Sequence, residues 1–432
     1  MLQTADPSSP DAAETPPAAA PAALDGVDLH ALAARLGTPL YVYSAAAIRT
    51  RLAALHAALA SLDAQVCYAV KANPNRAVLA LMAEAGLGAD IVSVGELWRA
   101  LCAGIPASRI VFSGVGKTAE DIDAALAAGI LRFNVESYDE LQTLRRRAAA
   151  RGAVAHAAVR VNPDVDARTH AKISTGRAEN KFGVGLDEAR GWFAERSDPH
   201  LRLDGLHVHI GSQILSVEPF RQALARVDAF RRELEAAGHA IRSIDVGGGL
   251  GVTYREGCDR PVAIEDYAAA IRAALAGYDG RLLLEPGRWL VAEAGVLLTR
   301  VIRIKPGALR PFLILDAAMN DLARPSLYDA WHDIVPVGTA SQASERYDVV
   351  GPVCETGDTF ARDRLLPACA PGDLLMIRGA GAYGASMAST YNSRPLIAEA
   401  MIDAGRYAVV RRRQSLEEMV AGESLAAHRE TA

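Results

Sequence analysis

The chain has 432 residues, of which 50% are apolar and 22% are charged, which is the balance of a globular protein with a sizeable core. Its 46 basic and 51 acidic residues give a formal net charge of -5, which argues against nucleic acid as a partner because a phosphate backbone requires a basic surface. No apolar run reaches the roughly 18 residues of a membrane span. Five scattered cysteines without a C-x-x-C pair argue against a disulfide scaffold or a zinc ribbon and favour a reducing, cytoplasmic location.

The N-terminal segment differs in composition from the rest of the chain. Residues 1 to 25 are rich in Ala, Pro, Ser and Thr, carry no basic cluster and have almost no large apolar side chains. We therefore predict a disordered tail rather than a targeting peptide, because such a segment cannot bury enough surface to offset its ordering entropy. Residues 26 to 44 become apolar and end in a strand-like stretch, Pro39-Leu-Tyr-Val-Tyr43.

Eight short β-branched runs follow over about 230 residues, most of them separated by helix-forming segments rich in Ala, Leu, Arg and Glu. This repeat predicts an α/β fold, a (β/α)8 TIM barrel over residues 45–295. A doubly wound sheet is the alternative, but its G-x-G-x-x-G fingerprint is absent, since Val252 follows the glycine run at 247–251. The predicted strands are 66–70, 89–93, 110–113, 132–136, 157–161, 205–210, 243–246 and 281–285.

Beyond residue 295 the strand-like runs have turn-like connections and predict a second, all-β domain over residues 296–432. We expect the strand in residues 26–44 to join this domain. The polar tail after Arg411 predicts a surface helix with a frayed end. The predicted strands are 296–305, 312–316, 334–337, 347–350, 373–377 and 406–410.

Chemically reactive side chains stand at the C-terminal ends of the predicted barrel strands, where such barrels hold their active sites. Lys71 ends the first strand, where it is either a rim lysine or an amine of depressed pKa that forms a Schiff base. Glu285 and Arg288 end the eighth strand and could simply pair with each other.

The sixth and seventh strands add two histidines and a glycine run. His207 and His209 share one face of a strand, which is also how a metal site is built, but His156 and His170 are poorly placed as further ligands. We therefore predict no metal, with His207 as a satisfied core residue and His209 stacked on a flat cofactor. The glycines at 247–249 can bring backbone N–H groups against a phosphate.

A lysine, a glycine cradle and an acidic partner at successive strand ends indicate pyridoxal 5'-phosphate as the cofactor. The chain also resembles the alanine-racemase-like, fold type III pyridoxal-phosphate decarboxylases from about Thr38 to Arg411. Within that family the stretch 320–329 is most similar to the diaminopimelate decarboxylases. The motifs that carry the resemblance are Tyr68-Ala-Val-Lys-Ala-Asn73, His209-Ile-Gly-Ser-Gln213, Gly247-Gly-Gly249, Glu285-Pro-Gly-Arg288, Asn320-Asp-Leu-Ala-Arg-Pro-Ser-Leu-Tyr-Asp329, Gly351-Pro-Val-Cys-Glu-Thr-Gly-Asp358 and Gly381-Ala-Tyr-Gly-Ala-Ser-Met387.

The resemblance implies roles for the matching residues. Lys71 would bond the cofactor, His209 would stack on its ring and Glu285 would pair with its pyridine nitrogen. The phosphate would be bound by Ser212, Gly247, Gly248, Gly249 and, in part, Tyr383. Asp90, Arg160, Gly287 and Arg288 match further positions beside the cofactor.

The resemblance also implies a substrate site shared between two subunits. Arg288, Arg324, Tyr328 and Tyr383 would contact the substrate, chiefly its carboxylate. Glu355 would lie near the distal ammonium, and Cys354 or Lys71 would return a proton to the substrate carbon. In this family Cys354 and Glu355 come from the partner subunit, which implies a homodimer.

A diamino dicarboxylate presents a second zwitterion, which requires a cation and an anion together. Arg324 beside Glu355 offers that combination, so the expected reaction is decarboxylation of meso-2,6-diaminopimelate to L-lysine, the last step of lysine biosynthesis. Three alternatives stay open: decarboxylation of ornithine or D-lysine, racemisation on the same fold, and a non-catalytic carrier of the cofactor.

Overall fold

The computed structural model of the protein describes residues 15–166, 180–195 and 198–424. Its first elements are a two-stranded hairpin and a helix, which lead into a strand of the second domain. Asp28 caps the helix by accepting the N–H of Ala31. The elements are β1 (Ala23–Leu24), β2 (Val27–Asp28), α1 (Leu29–Leu36) and β3 (Leu40–Ser44).

The prediction of a disordered tail over residues 1–25 is wrong at its C-terminal end. Ala20 is buried and pairs with Val337 of the second domain, and its N–H donates to Pro336 O at 2.7 Å. A single alanine can complete a cluster that other segments build, and composition does not reveal this. Residues 1–14 lie outside the described part of the chain.

Eight parallel strands close into a barrel, which confirms the predicted (β/α)8 architecture. The last strand pairs with the first in the register Leu282 opposite Ala64, so the sheet has no free edge. The strands are β4 (Ala64–Ala69), β5 (Gly88–Ile91), β6 (Ile110–Phe112), β7 (Arg132–Val135), β8 (Ala155–Arg160), β9 (Leu201–His207), β10 (Ser243–Asp245) and β11 (Arg281–Leu284).

Helices follow the barrel strands, and several begin at a side chain that caps their first turn. Ser93, Thr118 and Ser137 each accept a backbone N–H three residues later, which satisfies a donor that has no partner within the helix. The helices are α2 (Ala45–Leu59), α3 (Arg76–Glu84), α4 (Val94–Cys102), α5 (Ala119–Ala128), α6 (Tyr138–Ala150), α7 (Leu186–Phe193), α8 (Glu218–Ala236), α9 (Ile264–Ala274) and α10 (Arg288–Val291). Among the described helices none is long and apolar enough to span a bilayer.

The second domain is a mostly antiparallel sheet in the order β16-β15-β13-β12-β3-β18-β19, with β17 paired to both β12 and β14. Strand β3 lies between β12 and β18, so this N-terminal strand is part of the second sheet. Its own elements are β12 (Gly295–Lys305), β13 (Phe312–Leu315), α11 (Arg324–Tyr328), β14 (Ile334–Pro336), β15 (Ser344–Val350), β16 (Thr359–Pro367), β17 (Leu374–Ile377), β18 (Ala398–Asp403), β19 (Arg406–Arg411) and the short tail helix α12 (Leu416–Val420).

Two strands of this domain, β16 and β18, are missing from the sequence prediction. The centre of β16 is Arg-Asp-Arg at 362–364, and β18 begins with Ala-Glu-Ala-Met at 398–401, a composition that favours helix. Backbone pairing with neighbouring strands decides both: β16 pairs with β15, and β18 lies between β3 and β19, where Glu399 is buried in contact with Arg411.

The second domain meets the barrel at the C-terminal ends of its strands. The N–H of Tyr383 donates to Ala72 O at 2.8 Å, and Asn73 Nδ2 donates to Gly381 O at 3.0 Å. A loop that precedes β18 is thereby fixed directly behind Lys71.

Candidate active site

A cavity of about 490 Å3 opens where the barrel strands end and the second domain covers them. Most residues selected from the sequence line it, although they come from positions more than 300 residues apart in the chain. They are Lys71, Arg160, His209, Ser212, Gly249, Glu285, Gly287, Arg288, Arg324, Tyr328 and Tyr383.

Lys71 lies in a short 3-10 turn directly after β4, with 41% of its side-chain surface accessible. Its Nζ donates to Oδ2 of the fully buried Asp90 at 2.7 Å. Burial lowers the pKa of the amine, but the charge of Asp90, followed by Tyr383 and Glu285, outweighs burial and raises this pKa above its ordinary value. The expectation of a depressed pKa is therefore wrong for the unmodified amine, because a carboxylate stabilises its charged form.

Glu285 follows β11 and is held by neutral partners. Its Oε1 accepts from Ser113 Oγ at 3.3 Å and from Asn134 Nδ2 at 3.1 Å, and its Oε2 lies 3.1 Å from His207 Nε2. Burial, and then the charge of Asp90, raise the pKa of Glu285 to about 7. Protonated nitrogen on a molecule in the cavity would stabilise the ionised form of this carboxylate.

His207 ends β9, and the prediction that it is a satisfied core residue is wrong. It is 1% exposed, its Nε2 contacts Glu285, and its Nδ1 has no hydrogen-bond partner in the described part of the chain. Burial lowers its pKa to about 4, so the ring is neutral at physiological pH.

The same histidine belongs to a cluster in which His207, Asp245 and Glu285 bring possible metal-ligand atoms within 4.8 Å of one another. Arg132 pairs with Asp245 at 3.3 Å, and its positive charge would oppose a cation there. His156 is exposed on β8 and His170 lies outside the described residues. We therefore propose no metal at this position.

The glycine run after β10 is required by close packing of backbone. A Cβ at Gly248 would lie 2.2 Å from the carbonyl oxygen of Glu285, and one at Gly249 would lie 2.5 Å from that of Gly211. Gly249 also has a φ of 111°, which is strained for other residues. The run therefore lets three strand ends approach one another.

The amides of this run are partly engaged within the protein. Gly247 N–H donates to Asp245 Oδ1 at 3.0 Å, and Gly248 N–H donates to His209 Nδ1 at 3.1 Å. Phosphate binding therefore stays a prediction for Gly249, which lines the cavity. Burial holds the pKa of His209 well below its usual value, so this ring faces the cavity as a neutral imidazole.

Arg288 does not pair with Glu285, so the alternative that these two residues simply form an ion pair is wrong. Its Nη2 donates to Ser212 Oγ at 2.9 Å and its Nη1 to Tyr254 Oη at 2.7 Å, while its guanidinium lies 4.6 Å from the centre of the Tyr383 ring. Ser212 and Arg288 thus form a joint hydrogen-bonding unit on one side of the cavity.

Arg324 is the first residue of α11 and is 5% exposed. Its Nη1 lies 2.8 Å from His332 Nε2, and its guanidinium carbon lies 4.2 Å from the centre of the Tyr254 ring. Burial lowers its pKa to about 10. Within the described residues neither Arg324 nor Arg288 forms an ion pair. Two buried guanidinium groups with neutral partners create a strong preference for an anion.

The remaining predicted residues shape the cavity wall. Arg160 pairs with Glu136 at 2.9 Å, which directs its charge away from the cavity centre. A Cβ at Gly287 would lie 2.9 Å from that of Ala69, so this glycine allows α10 to pack on β4. Tyr383 has a positive φ of 55°.

Cys354 and Glu355 are the predicted site residues that the fold does not bring to Lys71. Both are exposed and neither lines the cavity, and the N–H of Cys354 donates to Asn392 Oδ1 at 3.4 Å. Their contribution to the site of a second subunit stays a prediction.

Comparisons with known proteins agree with this geometry. Residues 45–292 match the family model of the pyridoxal-dependent decarboxylases, pyridoxal binding domain. The chain belongs to the pyridoxal-dependent decarboxylase family. It is 49% identical to diaminopimelate decarboxylase of Zymomonas mobilis, over 93% of this chain and 96% of the relative, and 51% identical to that of Pseudomonas aeruginosa, with the same coverage.

A solved structure extends the similarity to the second domain. Diaminopimelate decarboxylase from Helicobacter pylori complexed with L-lysine has a TM-score of 0.88 and 45% identity, covering 91% of this chain and 98% of that chain. Relatives at this similarity share both domains, so the chain has the fold type III architecture.

The residues present fit the cofactor of this family. An amine, a flat neutral imidazole and a buried carboxylate line one cavity together with a hydroxyl–guanidinium unit, and these groups suit the aldehyde, ring, ring nitrogen and phosphate of pyridoxal phosphate. Asp90 Oδ1 is buried without a hydrogen-bond partner in the described chain, which leaves it an unsatisfied acceptor beside Lys71.

Sequence reasoning missed the neutral residues that hold this decarboxylase site together. Tyr254 lies between two arginines, His332 contacts Arg324, and Ser113 and Asn134 bind Glu285. Ser113 is the last residue of a predicted strand, so its position could have identified it as a site residue. Tyr254 and His332 lie in irregular segments and had none.

Proposed function

We propose that this protein catalyses the pyridoxal-phosphate-dependent decarboxylation of meso-2,6-diaminopimelate to L-lysine and carbon dioxide. The observation that carries the proposal is the buried Arg324 guanidinium, held by neutral partners in the same cavity as Lys71 and Glu285. Relatives named diaminopimelate decarboxylase across nearly the whole length support the same reaction.

Bound pyridoxal phosphate supplies an electron-accepting ring, which stabilises the electron pair left when the substrate loses its carboxylate. Lys71 Nζ would hold the cofactor through its aldehyde. Glu285 would favour a protonated ring nitrogen, because the side chains that bind this carboxylate, Ser113 and Asn134, are neutral and do not compete for its charge. His209 would pack against the cofactor ring.

Substrate recognition follows from charge. Arg324, with Tyr328 beside it, binds the distal carboxylate of the substrate, the one that L-lysine retains. A carboxylate entering this low-dielectric site gains more from the guanidinium than it would in water. Ornithine has no distal carboxylate and would leave that cation uncompensated.

The proposed working unit is a homodimer, in which Cys354 and Glu355 of one chain complete the site of the other. Glu355 then faces the distal ammonium, and Cys354 Sγ returns a proton to the carbon that lost carbon dioxide. This arrangement is supported by the exposure of both side chains and by their absence from the cavity lining in their own chain.

The test is an assay of the purified protein, with and without added pyridoxal phosphate, on meso-diaminopimelate, D-lysine and L-ornithine separately. We expect L-lysine and equimolar carbon dioxide from meso-diaminopimelate alone, and none with a Lys71→Ala variant. Carbon dioxide from D-lysine or ornithine instead would overturn the substrate assignment. Interconversion of enantiomers without carbon dioxide would indicate a racemase, and no turnover despite bound cofactor would indicate a carrier.

A further inference from the structure

Arg324 depends on one imidazole for its direction. His332 lies between β14 and α11, is 2% exposed, and presents Nε2 to Arg324 Nη1 at 2.8 Å. On its other side Nδ1 lies 2.8 Å from the carbonyl oxygen of Arg378. The histidine therefore connects a substrate-facing cation to the end of strand β17.

These two contacts fix the tautomer of the ring. A guanidinium has only donors, so Nε2 of His332 must accept, and a carbonyl has only lone pairs, so Nδ1 must carry the proton and donate to Arg378 O. The ring is thus neutral and fully used. Burial, followed by the charge of Arg324, lowers the pKa of His332 to about 3, which agrees with the hydrogen-bond pattern.

The neighbouring ring holds the histidine from a third direction. Tyr254 packs edge-on against His332, with ring centres 5.1 Å apart at 73°, and its face lies under the Arg324 guanidinium. A Cβ at Gly379 would lie 3.0 Å from the Tyr254 ring, so the backbone closes this cluster from behind.

We propose that His332 is a positioning residue that aims Arg324 at a substrate carboxylate without neutralising it. A carboxylate in place of His332 would aim the guanidinium equally well but would compete with the substrate for its charge. A neutral acceptor supplies direction and leaves the charge available. The inference rests on the proposed function, because it assigns to Arg324 the distal carboxylate of the substrate.

The effect is measurable with two ligands that differ only in that carboxylate. L-lysine carries it, whereas cadaverine is L-lysine without it. We expect His332→Phe, which keeps an aromatic ring but removes the acceptor, to weaken inhibition by L-lysine about 10- to 100-fold, and cadaverine inhibition to change less than about twofold. His332→Gln, which restores an acceptor, should lie within about threefold of the unchanged protein for both ligands.

A double-substitution cycle separates positioning from general damage. In an Arg324→Ala background, His332→Phe should change L-lysine affinity less than about twofold, because the residue through which it acts is gone. Equal weakening of L-lysine and cadaverine, or additive effects of the two substitutions, would overturn the proposal. Binding is followed by displacement and by the absorbance of the bound cofactor, so it does not require turnover. Absence of carbon dioxide release from meso-diaminopimelate by the unchanged protein would instead refute the proposed function.

Discussion

At the barrel mouth, the carboxylate of Asp90 controls how much of the Lys71 amine is free to react. The ion pair at 2.7 Å outweighs burial and keeps the lysine charged. We expect Asp90→Asn to lower the pKa of Lys71, since burial then acts with less opposition. The pH midpoint for covalent attachment of pyridoxal phosphate should shift down by about 1 unit or more. Stopped-flow absorbance measures this midpoint, with the exposed Asp139→Asn as the control, and an unchanged midpoint would contradict the expectation.

The buried carboxylate of Asp245, which lies beside Glu285, should make stability depend on pH. Burial, and then the charge of Glu285, raise the pKa of Asp245 to about 7 despite the nearby Arg132. A raised folded-state pKa contributes stability below the unfolded value near 4, and this contribution is lost as pH rises to about 7. Asp245→Asn has no such ionisation, and its amide oxygen can still accept from Gly247.

We therefore expect the free energy of unfolding of the cofactor-free protein to fall less between pH 4 and pH 8 in Asp245→Asn than in the unchanged protein. The expected difference between the two falls is about 1 kcal/mol or more. Urea unfolding at the two pH values measures the difference. The exposed Asp279→Asn is the matched control. If the free energy of unfolding changes equally between the two pH values in Asp245→Asn and Asp279→Asn, the buried carboxylate of Asp245 does not titrate as described.

Sequence could predict the charged residues of the site but not their partners. Lys71 and Glu285 are informative because a charge at the end of an apolar strand is costly unless it has a use, whereas Arg324 was identified only by the resemblance of residues 320–329 to known decarboxylases. Tyr254 and His332 are common residue types in irregular segments, and only the folded chain places Tyr254 between two arginines and His332 against Arg324. The depressed pKa expected for Lys71 was wrong for the same reason, since Asp90 reaches it from a different strand.

The turn between β10 and α9 positions Glu285 as well as the cavity wall. Glu285 N–H donates to Gly247 O at 2.8 Å, and a Cβ at Gly248 would strike the Glu285 carbonyl. Gly248→Ala should displace that carboxylate and weaken pyridoxal-phosphate binding at least about tenfold. Equilibrium fluorescence titration measures the affinity. Gly191→Ala in α7, where a Cβ meets nothing within 4 Å, is the control and should leave affinity unchanged.

Element by element, the barrel was predictable because most of its strands are short apolar runs bounded by helix-forming segments. Strand β3 was predictable for the same reason. Strands β16 and β18 were not, because their own residues favour other structures and only their sheet neighbours select the extended form. Local preference therefore misses a strand whose own residues favour another structure, both at the edge of the sheet, as for β16, and inside it, as for β18.

At the scale of the whole molecule, both domains contribute residues to the cavity. The barrel supplies Lys71 and Glu285 to the cavity, and the second domain supplies Arg324 and Tyr383. Strand β3 ties the N-terminus into the second sheet before the barrel begins. Neither domain alone contains both Lys71 and Arg324. Under the proposed function, Cys354 of a second chain would have to complete the site that both domains of one chain form.

Mixing two inactive variants tests this sharing between chains. We expect the Lys71→Ala and Cys354→Ala chains, co-expressed with different tags, to form mixed dimers. In such a dimer both defects fall in one of the two sites, and the other site keeps an intact Lys71 and an intact Cys354. Random pairing of equal amounts of the two chains then gives about a quarter of the activity of the unchanged protein. Lys71→Ala mixed with Glu285→Gln is the control, since both residues line the cavity of their own chain and every mixed site stays defective. Recovery in neither mixture would place Cys354 outside the partner's site, and equal recovery in both would contradict the assignment of Glu285.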